Sequence, residues 1–577
     1  MIRALVRRRT LVIALAALGA TSLAACTAAG PGDDGGRPRS SAAADPAARP
    51  ELRRFYEQRL TWRPCGDFRC AALTVPMDYA RPGDGRTFVL PVAKAATAAA
   101  DQRIGSLVYN PGGPGERGVQ ALKDGLADEL GKGVRERFDI VSFDPRGVGE
   151  SKPALTCRTK DADDQTGGTG STESTDSTEN TESTESTEST DEGSPAPLYP
   201  RSDAERAAVL AGARETAESC AKASGPLLRH VGTRDAARDL DVLRAALGER
   251  QLTYVGWSYG TSLGTSYAEQ FPRRVRAMVL DGAVDPSLDW RQRVIGQSKG
   301  FRDAVEEYAR SCAATVGDGC PGATPEEIRA LIDRLLQRTQ REPLPVKDSA
   351  EGLDAEGFVA ALSLSMYTPE AQWQGLSEAL RAADAGDGTK LAALATEDES
   401  SDGQDGQDDQ EEQPGPDDGT TDASDEPADS DGSGASAVPE DNSEAALTAI
   451  NCLDVPHPRD ERAYWDALPA ADRAAGVYGT SSVAGELVCK DWPAGPERPH
   501  RVHADGVAPV LVVGTAGDPA TPYAEAVSLA RQFPGGMLLS FDAPGHTGYG
   551  RDACVDRKVE AYLISLTKVR PGTTCTP

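Results

Sequence analysis

The stretch that decides the fold is Gln251-Leu252-Thr253-Tyr254-Val255-Gly256-Trp257-Ser258-Tyr259-Gly260. Its first half is a short apolar run with β-branched and aromatic residues, which is typical of a buried strand. The run ends in the pattern Gly-x-Ser-x-Gly, and the residues that follow have helical spacing. Small residues around Ser258 permit the sharp strand-to-helix turn of a nucleophile elbow, in which the serine oxygen projects above the sheet. The stretch therefore predicts an α/β fold with Ser258 as the candidate nucleophile.

Two further copies of the pattern show that the pattern alone is not decisive. Ser262 lies in the copy at 260–264, which begins inside the predicted helix, so we expect Ser262 to be buried one turn further on. Ser298 lies in the copy at 296–300, which follows a polar segment with neither the length nor the composition of a strand. Only Ser258 follows a predicted strand, and its role depends on whether the other parts of a site are present.

Two more candidate residues, Asp518 and His546, each follow a predicted strand late in the chain. The ends of parallel strands meet at one edge of a sheet, so we expect both side chains to lie near Ser258. In such a triad the histidine accepts the serine proton, while the aspartate fixes the histidine tautomer and stabilises its charged form. Asp281, which ends the strand after the elbow, is the alternative acid.

A glycine-rich loop supplies candidates for oxyanion binding. It runs from Asn110 to Gly115 directly after the predicted strand at 106–109. Glycines let backbone N–H groups turn toward a ligand. We therefore predict an oxyanion hole formed by the backbone of Gly112 and Gly113 together with the N–H of Tyr259, the residue after the nucleophile. The alternative is that the loop is only a tight turn.

The order of predicted elements indicates a sheet interrupted by a helical excursion. Predicted strands occur at intervals through residues 51–284 and again in 501–577. The pattern from about 290 to 395 is helical. We predict one mostly parallel sheet built from 51–284 and 501–577. Residues 285–500 are expected to form a helical cap over the site.

The N-terminus has the features of a bacterial export signal. Several arginines precede an apolar run that is too short to span a bilayer and that ends in Leu23-Ala24-Ala25-Cys26, which resembles a lipobox. We predict a signal peptide at 1–25, lipidation of Cys26 and a flexible tether over 26–50. The protein would then be exported and held on the outer side of the cell membrane by its lipid. Release from the cell by shedding or secretion is the alternative localisation. A plain cleaved secretory peptide is the alternative, and a loose twin-arginine pattern leaves the export route open.

The net charge of −29 comes from two low-complexity segments. Residues 161–194 contain eleven acidic residues, residues 396–441 contain eighteen, and neither segment has a Lys or Arg. Both are too polar to form a core, and we predict that they are disordered acidic inserts. Cation binding by these segments is the alternative, although no EF-hand spacing occurs. The rest of the chain is close to neutral and has no basic patch, so no nucleic-acid partner is expected.

Cysteine usage favours disulfides. An even number in an exported chain is typical of a disulfide framework, and no Cys or His cluster has zinc spacing, so we expect neither a metal nor a cofactor. Pairing of nearest neighbours would close five loops, but the sequence does not establish the connectivity. Apart from Cys26, the ten cysteines are Cys65, Cys70, Cys157, Cys220, Cys312, Cys320, Cys452, Cys489, Cys554 and Cys575.

Four motifs together resemble the exported tripeptidyl aminopeptidases, in the proline iminopeptidase group of α/β-hydrolase serine peptidases. They are residues 109–115, 143–149 and 256–260 and the segment around His546. The likeness extends over most of the chain outside the acidic inserts. It implies an α/β-hydrolase fold with a helical cap and release of short peptides from free N-termini. The segment Glu116-Arg117-Gly118 departs from the small residues usual in relatives, which leaves the fit of the substrate open.

A peptide with a free N-terminus is thus the expected partner. Recognition of its ammonium group needs an ordered carboxylate, because a partly buried cation requires a partner. Asp454 and Glu116 are the candidates. Asp454 could instead cap a helix, and Glu116 could instead be a solvent-exposed charge without a binding role. An esterase with the same triad, and a non-catalytic surface lipoprotein that kept the fold, are the competing functions.

Overall fold

Ten β-strands form a single sheet in the computed structural model, in the spatial order β1-β2-β3-β5-β4-β6-β7-β8-β9-β10. The first four in this order pair antiparallel, and all neighbours from β5 to β10 pair parallel. The prediction of a mostly parallel sheet is therefore confirmed. The strands are β1 Arg63–Cys65, β2 Phe68–Pro76, β3 Thr87–Ala95, β4 Gly105–Asn110, β5 Phe138–Phe143, β6 Leu252–Trp257, β7 Val275–Asp281, β8 Leu511–Gly517, β9 Met537–Pro544 and β10 Thr573–Cys575.

The structure describes residues 49–157, 197–315, 319–350, 352–395, 442–493 and 495–577. The predicted signal peptide, Cys26, nearly all of the tether and both acidic inserts lie outside these ranges. All described residues belong to one unit, Ala47–Pro577. No helix within the described ranges is long and apolar enough to cross a membrane.

Thirteen helices of seven or more residues surround the sheet or lie between β7 and β8 in the described part of the chain. They are α1 Asp203–Ser224, α2 Thr233–Ala246, α3 Tyr259–Gln270, α4 Trp290–Thr315, α5 Pro325–Thr339, α6 Ala355–Leu364, α7 Pro369–Asp384, α8 Thr389–Ala395, α9 Ser443–Asp454, α10 Leu468–Ala475, α11 Val477–Gly485, α12 Tyr523–Gln532 and α13 Ala553–Ser565. Shorter helical turns include Arg53–Tyr56, Gly118–Ala121, Lys132–Arg135 and Arg462–Trp465.

The sheet is buried on both faces because helices cover both sides of it. Alternation along β6 shows this directly: Tyr254 packs into one apolar cluster and the next residue, Val255, packs into another. Every residue of β4 and β5 is buried, as is usual for parallel strands covered on both faces. The strand ends that carry the candidate site are thus anchored on two sides.

The helices between β7 and β8 form the cap, and most of them pack in apolar clusters of their own. Helix α9 is the exception, because its buried residues, such as Ala446 and Ile450, pack into an apolar cluster of the core. The larger cluster joins residues of α4 to α8, such as Tyr308, Leu331 and Phe358. Helix α5 contributes a typical amphipathic stripe, and Thr324 caps its first turn by accepting a hydrogen bond from the N–H of Glu327 at 3.2 Å. The cap is therefore a packed structure, as the helical pattern of this stretch predicts.

Five disulfides join nearest neighbours in the sequence, which is one of the pairings that the sequence left open. Disulfides form and persist in oxidising compartments, so their number indicates an exported protein. The pairs are Cys65–Cys70, Cys157–Cys220, Cys312–Cys320, Cys452–Cys489 and Cys554–Cys575.

Several elements were not predicted from the sequence, among them α1, α12, β1 and β10. Helix α1 begins with a capping box between Ser202 and Glu205, but it has only a weak amphipathic pattern. Strands β1 and β10 are three residues long and polar, so no alternation identifies them. Tertiary partners form both strands: β1 pairs with β2, and β10 pairs with β9 and carries Cys575 of a disulfide.

Candidate active site

The elbow lies between β6 and α3. Ser258 has φ 52° and ψ −121°, outside the helical region, and its N–H donates to the carbonyl oxygen of Asp281 at 2.9 Å. The turn is so tight that a Cβ on Gly256 would lie 2.4 Å from the carbonyl oxygen of Gly260. A Cβ on Gly260 would in turn lie 2.8 Å from the carbonyl oxygen of Asn110. Both glycines of the motif are therefore required by contact, as a nucleophile elbow demands.

Asp518 and His546 meet at the same edge of the sheet, in the loops after β8 and β9. The Nδ1 atom of His546 lies 2.9 Å from each carboxylate oxygen of Asp518. The carboxylate also accepts hydrogen bonds from the N–H of Ala520 at 3.0 Å and from the N–H and Oγ1 of Thr521 at 2.8 and 3.0 Å. Asp518 is 4 % exposed and His546 is 8 % exposed, so these bonds form away from water.

The other ring nitrogen of His546, Nε2, is buried and has no hydrogen-bond partner among the described residues. The end of β7 connects this ring to the elbow. A Cβ on Gly282 would lie 2.9 Å from Cε1 of His546, and the preceding residue, Asp281, accepts the N–H of Ser258. The ring is thus fixed through Nδ1 and keeps Nε2 available for proton transfer, the arrangement that a serine nucleophile requires.

The glycine-rich loop contacts Ser258 through Gly112. A Cβ on Gly112, which has φ 124°, would lie 2.9 Å from Cβ and 3.6 Å from Oγ of Ser258. Gly113 has φ 91°, is exposed, and lies against the N–H groups of Gly115 and Glu116. Tyr259 is the first residue of α3, where backbone N–H groups have no partner within the helix and carry partial positive charge. Gly112 and Tyr259 therefore lie next to Ser258, whereas the nearest neighbours of Gly113 are Gly115 and Glu116.

Asp281, the alternative acid, does not bond to the histidine ring. Its Oδ2 accepts the N–H groups of Gly548 at 3.0 Å and of Tyr549 at 2.8 Å, and so it holds the loop that follows His546. Its Oδ1 is buried without a partner among the described residues. Burial raises the pKa of the Asp281 carboxyl to about 6. Of the two acids, Asp518 has the geometry for orienting His546.

The other two serines in copies of the motif lie within helices. Ser262 is on α3 and is only half-buried, where the sequence predicted burial. It borders a pocket that is also lined by Tyr259, Val284 and Asp454. Ser298 is buried in α4 and donates from Oγ to the carbonyl oxygen of Val294 at 2.6 Å. Neither has the backbone geometry of an elbow.

Comparison with known proteins agrees with this geometry. A family model described as alpha/beta hydrolase fold matches residues 105–318, which include Ser258, and one described as TAP-like protein matches residues 475–575, which include Asp518 and His546. Serine protease Hip1 of Mycobacterium tuberculosis is 36% identical, with 90% of this chain and 91% of that protein covered. The chain belongs to the α/β-hydrolase group of serine peptidases. It is accordingly a serine hydrolase.

Two more relatives of this α/β-hydrolase serine peptidase have different names. Tripeptidyl aminopeptidase of Streptomyces lividans is 30% identical, with 89% of this chain and 85% of that protein covered. Carboxylesterase B of Mycobacterium tuberculosis is 32% identical, with 99% of both chains covered. These two relatives are thus named for different substrates, a peptide and an ester.

Asp454 lies at the end of α9, near the elbow helix of this serine peptidase. Its Oδ1 accepts the N–H of Thr233 at 2.9 Å, and its Oδ2 accepts the Thr233 hydroxyl at 2.5 Å. The same hydroxyl shares a hydrogen bond of 2.5 Å with the phenolic oxygen of Tyr259. Burial raises the pKa of the Asp454 carboxyl to about 6. Asp454 therefore stabilises the first turn of α2, and it also borders the pocket beside Tyr259.

Glu116, the other candidate for binding an amine, is exposed beside the glycine-rich loop. Its Cγ would lie 3.3 Å from a Cβ on Gly113. The two candidate carboxylates of the serine peptidase thus lie in different surroundings. Asp454 is near Tyr259 and half-buried, and Glu116 is near Gly113 and exposed.

Sequence reasoning missed two residues that contact the Asp518–His546 pair. Thr521 donates to Asp518, and the short spacing Asp-Pro-Ala-Thr is a local signal that could have identified it. Tyr367 belongs to the cap and accepts the backbone N–H of His546 with its carbonyl oxygen at 2.8 Å. No local pattern predicts that contact, because it depends on how the cap packs on the core.

Proposed function

We propose that this serine hydrolase is an exopeptidase that releases short peptides, tripeptides in particular, from free N-termini through an acyl-enzyme on Ser258. The observation that carries the proposal is the His546 ring, held through Nδ1 by Asp518 with a free Nε2, beside the elbow of Ser258. The 30% identity to a protein named tripeptidyl aminopeptidase supports the choice of substrate.

In the first half of the reaction, Nε2 of His546 takes the Ser258 proton as Oγ attacks the scissile carbonyl carbon. The negative charge that develops on the substrate oxygen is stabilised by the N–H of Tyr259 and by the backbone of Gly112 and Gly113. His546 then donates its proton to the leaving amine, and the peptide fragment remains as an ester on Ser258. Asp518 stays ionised throughout and stabilises the imidazolium.

In the second half, a water molecule replaces the leaving amine. His546 removes a proton from this water, the hydroxide attacks the ester, and the carboxylic acid product leaves while the proton returns to Ser258 Oγ. The two halves use the same donors, because the same charge develops on the same oxygen. The covalent step therefore needs only residues of this chain and water.

Recognition of a free N-terminus requires a negative charge at a fixed distance from Ser258. Asp454 is the better supported candidate because Thr233 holds both of its oxygens in place. Its link through Thr233 to the hydroxyl of Tyr259 also connects it to the elbow. Glu116 is the second candidate because it follows the loop that contacts Ser258. An ammonium group at either carboxylate would place the peptide N-terminus on the acyl side of the scissile bond.

Hydrolysis of small esters with the same triad is the alternative. It is favoured by the 32% identity to a protein named carboxylesterase B. A panel of aminoacyl, dipeptidyl and tripeptidyl amides, each with a free and an acetylated N-terminus, distinguishes the two functions, with a nitrophenyl ester alongside. We expect the free tripeptidyl amide to have the highest kcat/KM. Turnover of the nitrophenyl ester without turnover of any amide would instead support the esterase.

The same panel locates the carboxylate that binds the amine. Acetylation of the tripeptidyl amide leaves that carboxylate without its partner, which should cost about 1–3 kcal/mol of transition-state binding. We expect Asp454→Asn to remove the difference in kcat/KM between the free and acetylated substrates, and Glu116→Gln to preserve it. The opposite result would assign the role to Glu116. Equal values for both substrates in the unaltered enzyme would argue against an aminopeptidase.

A further inference from the structure

The cap contacts the histidine loop directly through Tyr367, which lies between α6 and α7. The carbonyl oxygen of Tyr367 accepts the backbone N–H of His546 at 2.8 Å. Its ring also packs edge-to-face against the imidazole, with the ring centroids 5.2 Å apart and the planes at 80°. A single cap residue therefore holds both the backbone and the ring of His546.

The packing around this contact is close. Gly545 precedes the histidine with φ 96°, and a Cβ there would lie 2.5 Å from Cδ of Pro369 and 2.9 Å from the Tyr367 carbonyl oxygen. Arg551 connects the same two regions. It donates to the carbonyl oxygens of Pro544 and Thr547 at 2.7 and 2.8 Å and to Oε1 of Glu370, on α7, at 2.7 Å. Cap and loop thus meet over a continuous contact.

A second cap element, helix α4, packs against the ring of Tyr367. The ring of Phe301, on α4, lies 5.9 Å from the ring of Tyr367. The neighbouring Gly300 packs on the loop of the catalytic acid candidate, where a Cβ would lie 2.3 Å from the carbonyl oxygen of Pro519. Helix α4 therefore touches the Asp518 loop and also backs the residue that touches His546. The cap is connected to both residues of the pair.

We propose that Tyr367 is a positioning residue, whose ring keeps the imidazole of His546 in the orientation that presents Nε2 to Ser258. Asp518 fixes one nitrogen of the ring but does not by itself prevent the ring from tilting about that bond. The Tyr367 ring packs edge-to-face on the imidazole and limits this tilt. A cap that swung away as a lid would release His546, so the cap must stay seated during catalysis. This inference rests on the triad proposed above.

The test compares Tyr367→Ala with Tyr367→Phe in the full-length enzyme, using a fluorophosphonate probe and a small nitrophenyl ester. The probe reports the reactivity of the serine whatever the natural substrate is. We expect Tyr367→Ala to lower kcat and the labelling rate roughly 10- to 100-fold, because a small misplacement of a catalytic group has an effect of this size. KM should change little, because a residue that acts through His546 affects the chemical step and not the binding of the substrate. Tyr367→Phe keeps the ring and should restore both rates.

Tyr478→Ala is the matched control, because Tyr478 is a half-buried aromatic residue that packs against the larger apolar cluster of the same cap. It should lower thermal stability while the labelling rate is retained. If Tyr367→Ala does not fold, Tyr367→Leu fills similar space without an aromatic ring and replaces it. Labelling of the Tyr367→Ala or Tyr367→Leu protein at the unaltered rate would overturn the proposal. So would equal losses in Tyr367→Phe or in Tyr478→Ala.

The failure of the triad itself would look different. Ser258→Ala should abolish labelling under all conditions, and labelling that persists in this variant would mean that the triad is wrong. A result in which Ser258→Ala is inert and Tyr367→Ala is fully reactive would reject only the positioning role of Tyr367. Fluorophosphonate labelling of the two variants side by side distinguishes these outcomes.

Discussion

At the scale of single residues, backbone geometry separates Ser258 from the other serines with the same motif. Ser258 has a positive φ and stands outside α3 as its N-cap. Ser262 and Ser298 lie within helices, where a side chain points back along the helix and its hydroxyl can bond a carbonyl of the preceding turn. Ser298 does so with Val294. The turn, and not the pentapeptide, therefore distinguishes Ser258 as the candidate nucleophile.

Replacement of Ser258 tests this directly. Ser258→Ala should lower turnover by roughly 10³- to 10⁶-fold, because the covalent step loses its nucleophile. Ser262→Ala and Ser298→Ala are the matched controls, and they should leave turnover within a small factor of the unaltered enzyme. Turnover and fluorophosphonate labelling measure the effect. A Ser258→Ala protein that still labels would shift the assignment to another serine.

Asp281 shows how a buried acid can serve the site without touching the histidine. It is fully buried, and burial raises the pKa of its carboxyl from 3.8 to about 6. The group therefore stabilises the fold in its neutral form below about pH 4, and this contribution is lost as the pH rises through about 6. Its hydrogen bonds to the N–H groups of Gly548 and Tyr549 offset part of the penalty for burying the charge.

The pH dependence of stability in Asp281→Asn checks this sign. Asparagine keeps an acceptor for the backbone N–H groups but cannot ionise. Relative to the unaltered protein, we expect the free energy of unfolding of the variant to increase by about 2 kcal/mol between pH 4 and pH 7, which is most of the effect of a shift of roughly two pKa units. Urea unfolding of both proteins at the two pH values measures the difference. A difference independent of pH would mean that Asp281 is not the titrating group.

At the scale of elements, the sequence predicted the strands and helices that short-range sequence patterns determine. The strand β6, the elbow and the start of α3 are encoded within ten residues, and the ends of β8 and β9 are marked by apolar runs before Asp518 and His546. Strand β10 was missed because three polar residues carry no pattern, and its pairing with β9 exists only in the folded chain. The contact of Tyr367 with His546 was missed for the same reason. Packing of distant segments leaves no periodic signal in the sequence.

Helix α4 offers a paired test of how the cap sits on the core. Gly300→Ala would put a methyl group 2.3 Å from the Pro519 carbonyl oxygen, whereas Gly296→Ala, one turn earlier, meets nothing within 4 Å. We expect Gly300→Ala to destabilise the protein by about 1–3 kcal/mol through overpacking. Gly296→Ala should be neutral or stabilise it by up to about 1 kcal/mol through helix propensity. Thermal melting of both variants measures these changes.

The labelling rate adds a functional outcome to this pair. Because Pro519 follows Asp518, displacement of its loop by Gly300→Ala should also slow the reaction of Ser258 with a fluorophosphonate. Gly296→Ala should react at the unaltered rate. If the two variants melt and react alike, α4 is not seated on the Asp518 loop as the structure has it.

At the scale of the whole molecule, five disulfides indicate export, and the mode of attachment is the next question. Lipidation of Cys26 stays a prediction, since Cys26 lies outside the described residues. We expect Cys26→Ser to move the protein from the membrane fraction to the soluble fraction, because a lipid chain would be its anchor. Activity in the released fraction would show that the folded enzyme is intact. Unchanged membrane association would argue against a lipid at this position.

The acidic insert at 396–441 lies between α8 and α9, and the residue that follows it is bonded to the core. Asn442, the first described residue after it, is buried. Its Oδ1 accepts the N–H of Gly149 at 2.9 Å, and its Nδ2 donates to the carbonyl oxygens of Gly147 and Leu155 at 2.9 Å. The next helix begins at Ser443 and packs on the glycine-rich loop, where a Cβ on Gly115 would lie 2.5 Å from the Ser443 carbonyl oxygen. The insert thus ends at a fixed anchor near the candidate site.

Catalysis should therefore depend on the anchor and not on the insert. We expect replacement of residues 399–438 by a short Gly/Ser linker to leave kcat within about twofold, because the entropy of closing a surface loop changes slowly with its length. In contrast, Asn442→Ala should destabilise the protein by about 1–3 kcal/mol, since it removes the side-chain partner of the buried N–H of Gly149 and of the carbonyl oxygen of Leu155. The measurements are kcat on the nitrophenyl ester and thermal melting of both variants. A folded linker variant with a large loss of kcat would show that the acidic segment itself acts at the site.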